Sequence, residues 1–177
     1  MMDTPREAQV SCRTGMLLDE WCPRRLPRTP SYTSRWVVRS AVRESIEFHN
    51  GAASPFYPER DRPPRVAHVV VEAATGNRQQ RLVPFTVEPI PSEARDGLMR
   101  ARRTRGLFLG RVSWSGRDGR LILAPPYPAG GLHGDHLMFV SRQSDATYVV
   151  SLHGWEPFRE SVDTLRAILE ALPPQSR

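Results

Sequence analysis

Six short runs of alternating apolar residues between Val66 and His153 constrain the fold of this 177-residue chain more than any other feature. Successive side chains of a β-strand point to opposite faces of a sheet, so this alternation is typical of half-buried strands. Turn-forming residues lie between the first and second, the third and fourth, and the fifth and sixth runs. The sequence therefore predicts three hairpins. The six runs are VAHVVVE, RLVPFTVE, GLFLGRVSW, RLILA, DHLMFVS and TYVVSLH.

The register of the last hairpin can also be predicted. If Ser144 and Asp145 form a two-residue turn, His136 lies opposite His153. One face then carries His136, Met138, Val140, Val149, Ser151 and His153. The other face carries Leu137, Phe139, Tyr148, Val150 and Leu152, together with Asp135. Because the second face is more apolar, we expect a helix to cover it and the histidine face to stay open.

An amphipathic helix is predicted near the C-terminus. Pro157 suits a first helical position, and Pro173-Pro174 prevents the helix from continuing. Its apolar residues form one stripe at helical spacing: Phe158, Val162, Leu165, Ile168, Leu169 and Leu172. The fold expected from these elements is α+β, with an antiparallel meander of about six strands packed against this helix and one or two further helices.

Two further helices are predicted upstream. One runs from Arg35 to His49 and stops at Asn50-Gly51, although the run WVV from Trp36 also fits a strand. The other covers residues 93–105. Residues 1–33 are interrupted by prolines and are predicted to form a flexible tail. Residues 34–177 are then a single domain with a proline-rich connector at 51–65.

Two cysteines, Cys12 and Cys22, are too few for a disulfide framework, and we expect free thiols. No window approaches the ~20 apolar residues that span a bilayer, and no signal-peptide core is present. We expect the protein to be cytoplasmic and not bound to a membrane. The chain contains arginine but no lysine, which resembles the codon bias of a GC-rich bacterial genome.

The positive charge is concentrated between Arg95 and Arg120. This segment holds eight arginines and two acids, so its net charge equals the +6 of the whole chain. A nucleic acid or another polyanion is therefore one possible partner. The candidate binding residues are Arg95, Arg100, Arg102, Arg103, Arg105 and Arg111.

Three of the five histidines, His133, His136 and His153, lie near the ends of the last two runs. Catalytic zinc needs three protein ligands, so these histidines are candidate metal ligands or acid–base groups. We expect them instead to form a polar rim where two strands end. Nucleotide-binding glycine loops and nucleophile elbows are absent from the sequence, and no cofactor is expected.

These features favour a domain that binds a partner, expected to be a protein, without catalysis. The proline-rich segments could order on contact with such a partner. Polyanion binding through residues 95–120 and a histidine- or metal-dependent enzyme are the two alternatives.

Overall fold

The computed structural model describes residues 7–9, 17–27, 32–50, 68–90, 103–154 and 157–175. Its strands are β1 Glu7–Gln9, β2 Arg25–Pro27, β3 Tyr32–Ser40, β4 Arg43–Asn50, β5 His68–Thr75, β6 Val87–Pro89, β7 Gly106–Trp114, β8 Arg117–Leu123, β9 His136–Gln143 and β10 Ala146–His153. One α-helix is described, α1 Phe158–Glu170, and 3₁₀ helices span Gly76–Arg81 and Gly131–His133.

Eight strands form one sheet in the order β3-β4-β5-β10-β9-β8-β7-β6, and β1 pairs with β2 separately. Neighbours in the large sheet are antiparallel except β6 and β7, which are parallel. The mixed α+β class is as expected, but the sheet is larger than six strands. It is also not a simple meander, since β5 pairs with β10 across more than 70 residues.

The predicted register of the last hairpin is confirmed. His136 pairs with His153, and the alignment continues to Gln143 opposite Ala146. The second hairpin, β7 with β8, is also confirmed. Its register shifts between Phe108 and Gly110, where the glycine has φ 148°, a value that side-chain-bearing residues rarely adopt.

The first predicted hairpin is wrong. The run from His68 forms β5 in the middle of the sheet, between β4 and β10, and its residues 69–74 are buried on both faces. The run from Arg81 does not pair with it. Leu82, Val83 and Phe85 instead pack as irregular chain against the sheet, and their apolar alternation reflects that packing. Only Val87–Pro89 is a strand, beside β7.

The predicted helix from Arg35 to His49 is also wrong, and the strand alternative is correct. This segment forms β3 and β4, joined by a turn at Ala41 and Val42. Pairing with β5 buries Glu44, Ile46 and Phe48 on one side of β4. Pairing with the central strand β5 therefore makes this segment a strand pair, although the same apolar residues also fit the spacing of a helix.

Part of the predicted tail belongs to the core. Leu18, Trp21 and Leu26 are buried, and the Glu44 carboxylate accepts hydrogen bonds from the backbone amides of Leu17 and Leu18 at 2.8 and 2.9 Å. Residues 1–6, 10–16 and 28–31 and the predicted connector at 51–65 lie outside the described residues.

The side chains of Arg117 and Tyr148 hold residues 17–27 against the sheet. The buried Arg117 guanidinium donates to the carbonyls of Glu20 and Pro173 at 2.8 and 2.6 Å. The Trp21 ring stacks on Tyr148 with 4.6 Å between centroids. The chain segments before β3 and after α1 are therefore held together on one face of the sheet.

The expectation of free thiols is wrong for Cys22, which is disulfide-bonded. Cys12 lies outside the described residues. Cys22 is buried with Trp21 in the core to which residues 17–27 contribute. The number of cysteines in the sequence does not indicate this packing.

The C-terminal helix is confirmed, and it covers the face of the last hairpin that was expected to be apolar. Leu165, Ile168, Leu169 and Leu172 form one cluster with residues of β4, β5, β9 and β10. Phe158 and Val162 pack at its margin. No helix in the described part of the chain is both long and apolar enough to cross a membrane.

Leu165→Ala should lower the free energy of unfolding by about 2–5 kcal/mol, because Leu165 is fully buried under the sheet. Chemical denaturation of both proteins measures this loss. Arg159→Ala on the exposed side of the same helix is the matched control and should cost less than about 0.5 kcal/mol. A loss below 1 kcal/mol for Leu165→Ala would contradict the packing of α1 on the sheet.

Candidate functional site

The sheet face opposite α1 carries two polar regions. One is an open groove of about 1270 Å³ at the β7–β8–β9 end, here called the arginine groove. The other is a buried cluster of histidine and carboxylate side chains at the β4–β5–β10–β9 end. The first is accessible to a ligand and the second is covered, so the two are described separately.

The arginine groove is lined by one arginine from each of three neighbouring strands. Arg111 of β7 lies directly opposite Arg120 of β8. Arg142 of β9 follows two residues after Val140, which is the partner of Arg120. Alternation along a strand therefore puts all three guanidinium-bearing residues on the same face.

These three arginines are exposed, and none of them forms an ion pair with another residue that the structure describes. Asp118 is the single carboxylate among the described residues that line the groove. The Arg120 guanidinium lies over the Phe108 ring, 5.0 Å from its centroid, which restricts its orientation. Like charges opposite each other on adjacent strands disfavour folding, so a bound anion would relieve this repulsion.

The 3₁₀ helix Gly76–Arg81 forms one wall of the groove. Thr147 of β10 donates a hydrogen bond to the Gln79 side-chain oxygen at 2.7 Å, and the Gln79 amide donates to the Asp145 carbonyl at 3.3 Å. These bonds fix the wall against the β9–β10 turn. Gln80 lines the same wall and offers a further amide to a ligand.

Of the arginines predicted from the sequence, the three that the structure describes do not converge. Arg111 lies in the groove, but Arg103 and Arg105 line a separate pocket of about 690 Å³. Arg103 donates to the Ala124 carbonyl at 2.7 Å, and Arg105 pairs with Glu88 at 3.2 Å.

The remaining predicted arginines, Arg95, Arg100 and Arg102, lie outside the described residues, as does most of the predicted 93–105 helix. Residues 103–105 are not helical. Arg142 was missed because it lies outside the arginine-rich segment; only the strand register could have identified it.

The buried cluster centres on Glu72 of β5. Its carboxylate lies 2.6 Å from His133 Nε2 and 3.1 Å from an Arg43 nitrogen. Burial disfavours the ionised carboxylate, yet the hydrogen bonds and charges of His133 and Arg43 outweigh this effect and lower the pKa of Glu72 below its ordinary value. Glu72 therefore ties the 3₁₀ helix that carries His133 to the middle of the sheet.

His136 and His153 extend this cluster. His136 is fully buried, with Nδ1 3.0 Å from the Ser151 hydroxyl, and its ring packs edge-on against those of His133 and His153, with centroids 5.5 and 4.4 Å apart. Burial lowers the pKa of His153 to about 4, so this imidazole is neutral at pH 7.

The histidine face was expected to be open, and this expectation is wrong. The chain between Ala124 and Asp135 covers it: His133 is buried, reaches Glu72 and packs its ring edge-on against that of His136. The three histidines do converge, as a buried cluster and not as an exposed rim. Glu72 was missed, although a glutamate within the apolar run VVVEAA is an unusual feature for a buried strand.

The cluster does not have the arrangement of a metal site. Within the described part of the chain, no three histidine, cysteine or acidic side chains are placed so that they could hold a metal ion. Burial raises the pKa of the Asp135 carboxyl, and the charge of Arg103 opposes that rise. The contacts that are present stabilise the chain between β8 and β9.

Glu72→Gln should lower the free energy of unfolding by about 3 kcal/mol or more, because it leaves Arg43 and His133 without their buried counter-charge. Chemical denaturation at pH 7 measures the loss. Glu170→Gln removes an exposed ion pair with Arg166 and should cost less than about 0.5 kcal/mol. Equal losses in the two variants would contradict the role given to Glu72.

His153 should make the fold sensitive to acid. The unfolded chain binds a proton here below pH 6.5, whereas the folded chain does so only near pH 4, so stability falls across this window. Between pH 7 and pH 4.5 the loss should be about 2–3 kcal/mol. Unfolding curves of the wild type and His153→Gln at both pH values isolate the contribution of His153 to this loss of stability. An identical pH dependence in the two proteins would refute the buried neutral imidazole.

Comparison with models of protein families, with curated proteins and with solved structures finds no match for this chain. Function must therefore be inferred from the geometry of the arginine groove and the buried cluster. Of the two, the groove combines accessibility with charges that lack partners among the described residues.

Proposed function

We propose that this chain is a binding protein for an anionic ligand, which it takes up in the arginine groove. The observation that carries this proposal is the direct pairing of Arg111 with Arg120 across β7 and β8, with Arg142 on the next strand. Three guanidinium groups on one accessible face, with a single carboxylate among the described lining, form a site of net positive charge.

The chemistry of arginine favours this interpretation. A guanidinium group offers a planar set of donors that matches the oxygens of phosphate and carboxylate groups, often through two parallel hydrogen bonds. An anion between Arg111 and Arg120 would also replace a repulsive cross-strand contact with two attractive ones. Both effects stabilise the bound state over the free protein.

The expectation of a protein partner receives less support from the fold. It rested on the proline-rich segments, most of which lie outside the described residues, and on an uncovered face around His136 and His153. The segment that carries His133 covers that face. Of the residues proposed for polyanion binding, Arg111 keeps its role and is joined by Arg120 and Arg142. A bacterial origin and a cytoplasmic location stay predictions.

Tripolyphosphate is a suitable first probe because its charges can reach several arginines at once. The wild type should bind it at low ionic strength, and Arg111→Gln/Arg120→Gln should weaken binding at least about tenfold, since hydrogen bonds to charged groups are lost. Titration calorimetry measures both affinities. Binding should also weaken as salt is added, because the groove is exposed and its charges are screened.

Arg105→Gln is the matched control, since Arg105 is exposed but pairs with Glu88 outside the groove. It should leave the affinity within about twofold of the wild type. No binding of tripolyphosphate at low salt, or equal weakening by the control, would refute the proposed function.

A further inference from the structure

We infer that the ligand of the arginine groove joins an anionic head to an aliphatic chain, as in an alkyl phosphate or a fatty-acid-like molecule. This inference rests on the proposed function and specifies the chemical class of the ligand. It is carried by the aliphatic side chains beside Arg120, which are Ile122 on the same strand and Val140 on the neighbouring strand, together with Val83 of the groove lining.

The floor of the groove is the margin of an apolar cluster. Ile122 is a buried member of this cluster, and Val83 and Val140 pack against it while remaining half-buried. All three line the groove. Because Ile122 is already covered, the apolar surface that stays open to a ligand is that of Val83 and Val140. A polar ligand would desolvate its own polar groups against these two side chains, whereas an aliphatic chain would gain free energy by covering them.

The arginines and the apolar floor of the groove are close enough for one ligand to contact both. Val140 lies directly opposite Arg120 on the neighbouring strand, and such cross-strand residues have Cβ atoms about 5 Å apart. Ile122 follows two positions after Arg120, so it projects on the same face of β8. A head group between Arg111 and Arg120 therefore places the next few atoms of the ligand over Ile122 and Val140.

The same lining disfavours a single-stranded nucleic acid. Single strands are held by aromatic side chains on which bases stack, together with basic residues. No aromatic residue occurs among the described residues that line the groove, and the nearby Phe108 ring is covered by the Arg120 guanidinium. The groove volume of about 1270 Å³ lies above the usual range for small-molecule pockets, so an extended chain can be accommodated.

The test compares inorganic phosphate, butyl phosphate and octyl phosphate by titration calorimetry at one ionic strength. Each methylene group that contacts the floor should tighten binding by roughly two- to fourfold, so octyl phosphate should bind at least about tenfold more tightly than butyl phosphate. Octyl glucoside, which has the chain without the charge, should bind at least about tenfold more weakly than octyl phosphate.

Val140→Thr keeps the shape of the side chain and the strand preference but replaces a methyl group on the floor with a hydroxyl. It should weaken octyl phosphate binding by roughly threefold or more while leaving inorganic phosphate unchanged. Val87→Thr is the matched control, because Val87 is a half-buried member of the same cluster that does not line the groove. It should not change the affinity for either ligand.

The outcomes separate this inference from the proposed function. Equal affinity for phosphate, butyl phosphate and octyl phosphate overturns the aliphatic chain while leaving the anion site intact. Tighter binding of a single-stranded oligonucleotide than of octyl phosphate overturns it in favour of a nucleic acid. If no anionic probe binds, both the inference and the proposed function fail.

Discussion

The pairing of β9 with β10 is the constraint on which the rest of the structure depends. Its register, with His136 opposite His153, decides which residues of both strands face α1 and which face the other side. A shift of one residue would exchange the two sets. Leu137, Phe139 and Val150 would then leave the core, and the polar cluster would be placed under the helix.

Two different kinds of cover follow from this division. The apolar face is closed by α1 and by residues 17–27, which Arg117 and Glu44 hold in place through backbone hydrogen bonds. The residues that the structure describes close the opposite face only in part. The segment that carries His133 covers one end through Glu72, and the 3₁₀ helix Gly76–Arg81 borders the other end and leaves the arginine groove accessible. The proposed binding site therefore lies where the described residues leave this face of the sheet open.

The sequence was sufficient for elements whose partners are close along the chain. The β7–β8 and β9–β10 hairpins and α1 follow from local alternation, turn residues and helical spacing. It was insufficient for elements whose structure depends on pairing with strands that are distant along the chain. β5 has β4 and β10 as neighbours, and no local pattern in residues 68–75 distinguishes these partners from the run after Arg81. Residues 35–49 have apolar positions that fit both periods, and only their contact with β5 selects a strand.

The site shows the same limit. Arginine density between Arg95 and Arg120 indicated a basic surface, yet density along the chain is not proximity in space: Arg103, Arg105 and Arg117 form contacts elsewhere, and Arg142 enters from β9. His133, His136 and His153 lie in one cluster, which the sequence did not establish, and their burial depends on a loop whose contact with Glu72 spans about 60 residues. Neither arrangement can be obtained from residue types alone.

The most direct test of the account is NMR of the arginine side chains during titration with octyl phosphate. The Nε–Hε resonances of Arg111, Arg120 and Arg142 should shift together and saturate together, while those of Arg105 and Arg166 should stay in place. Shifts confined to arginines outside the groove, or spread evenly over all of them, would contradict an anion site formed by three neighbouring strands.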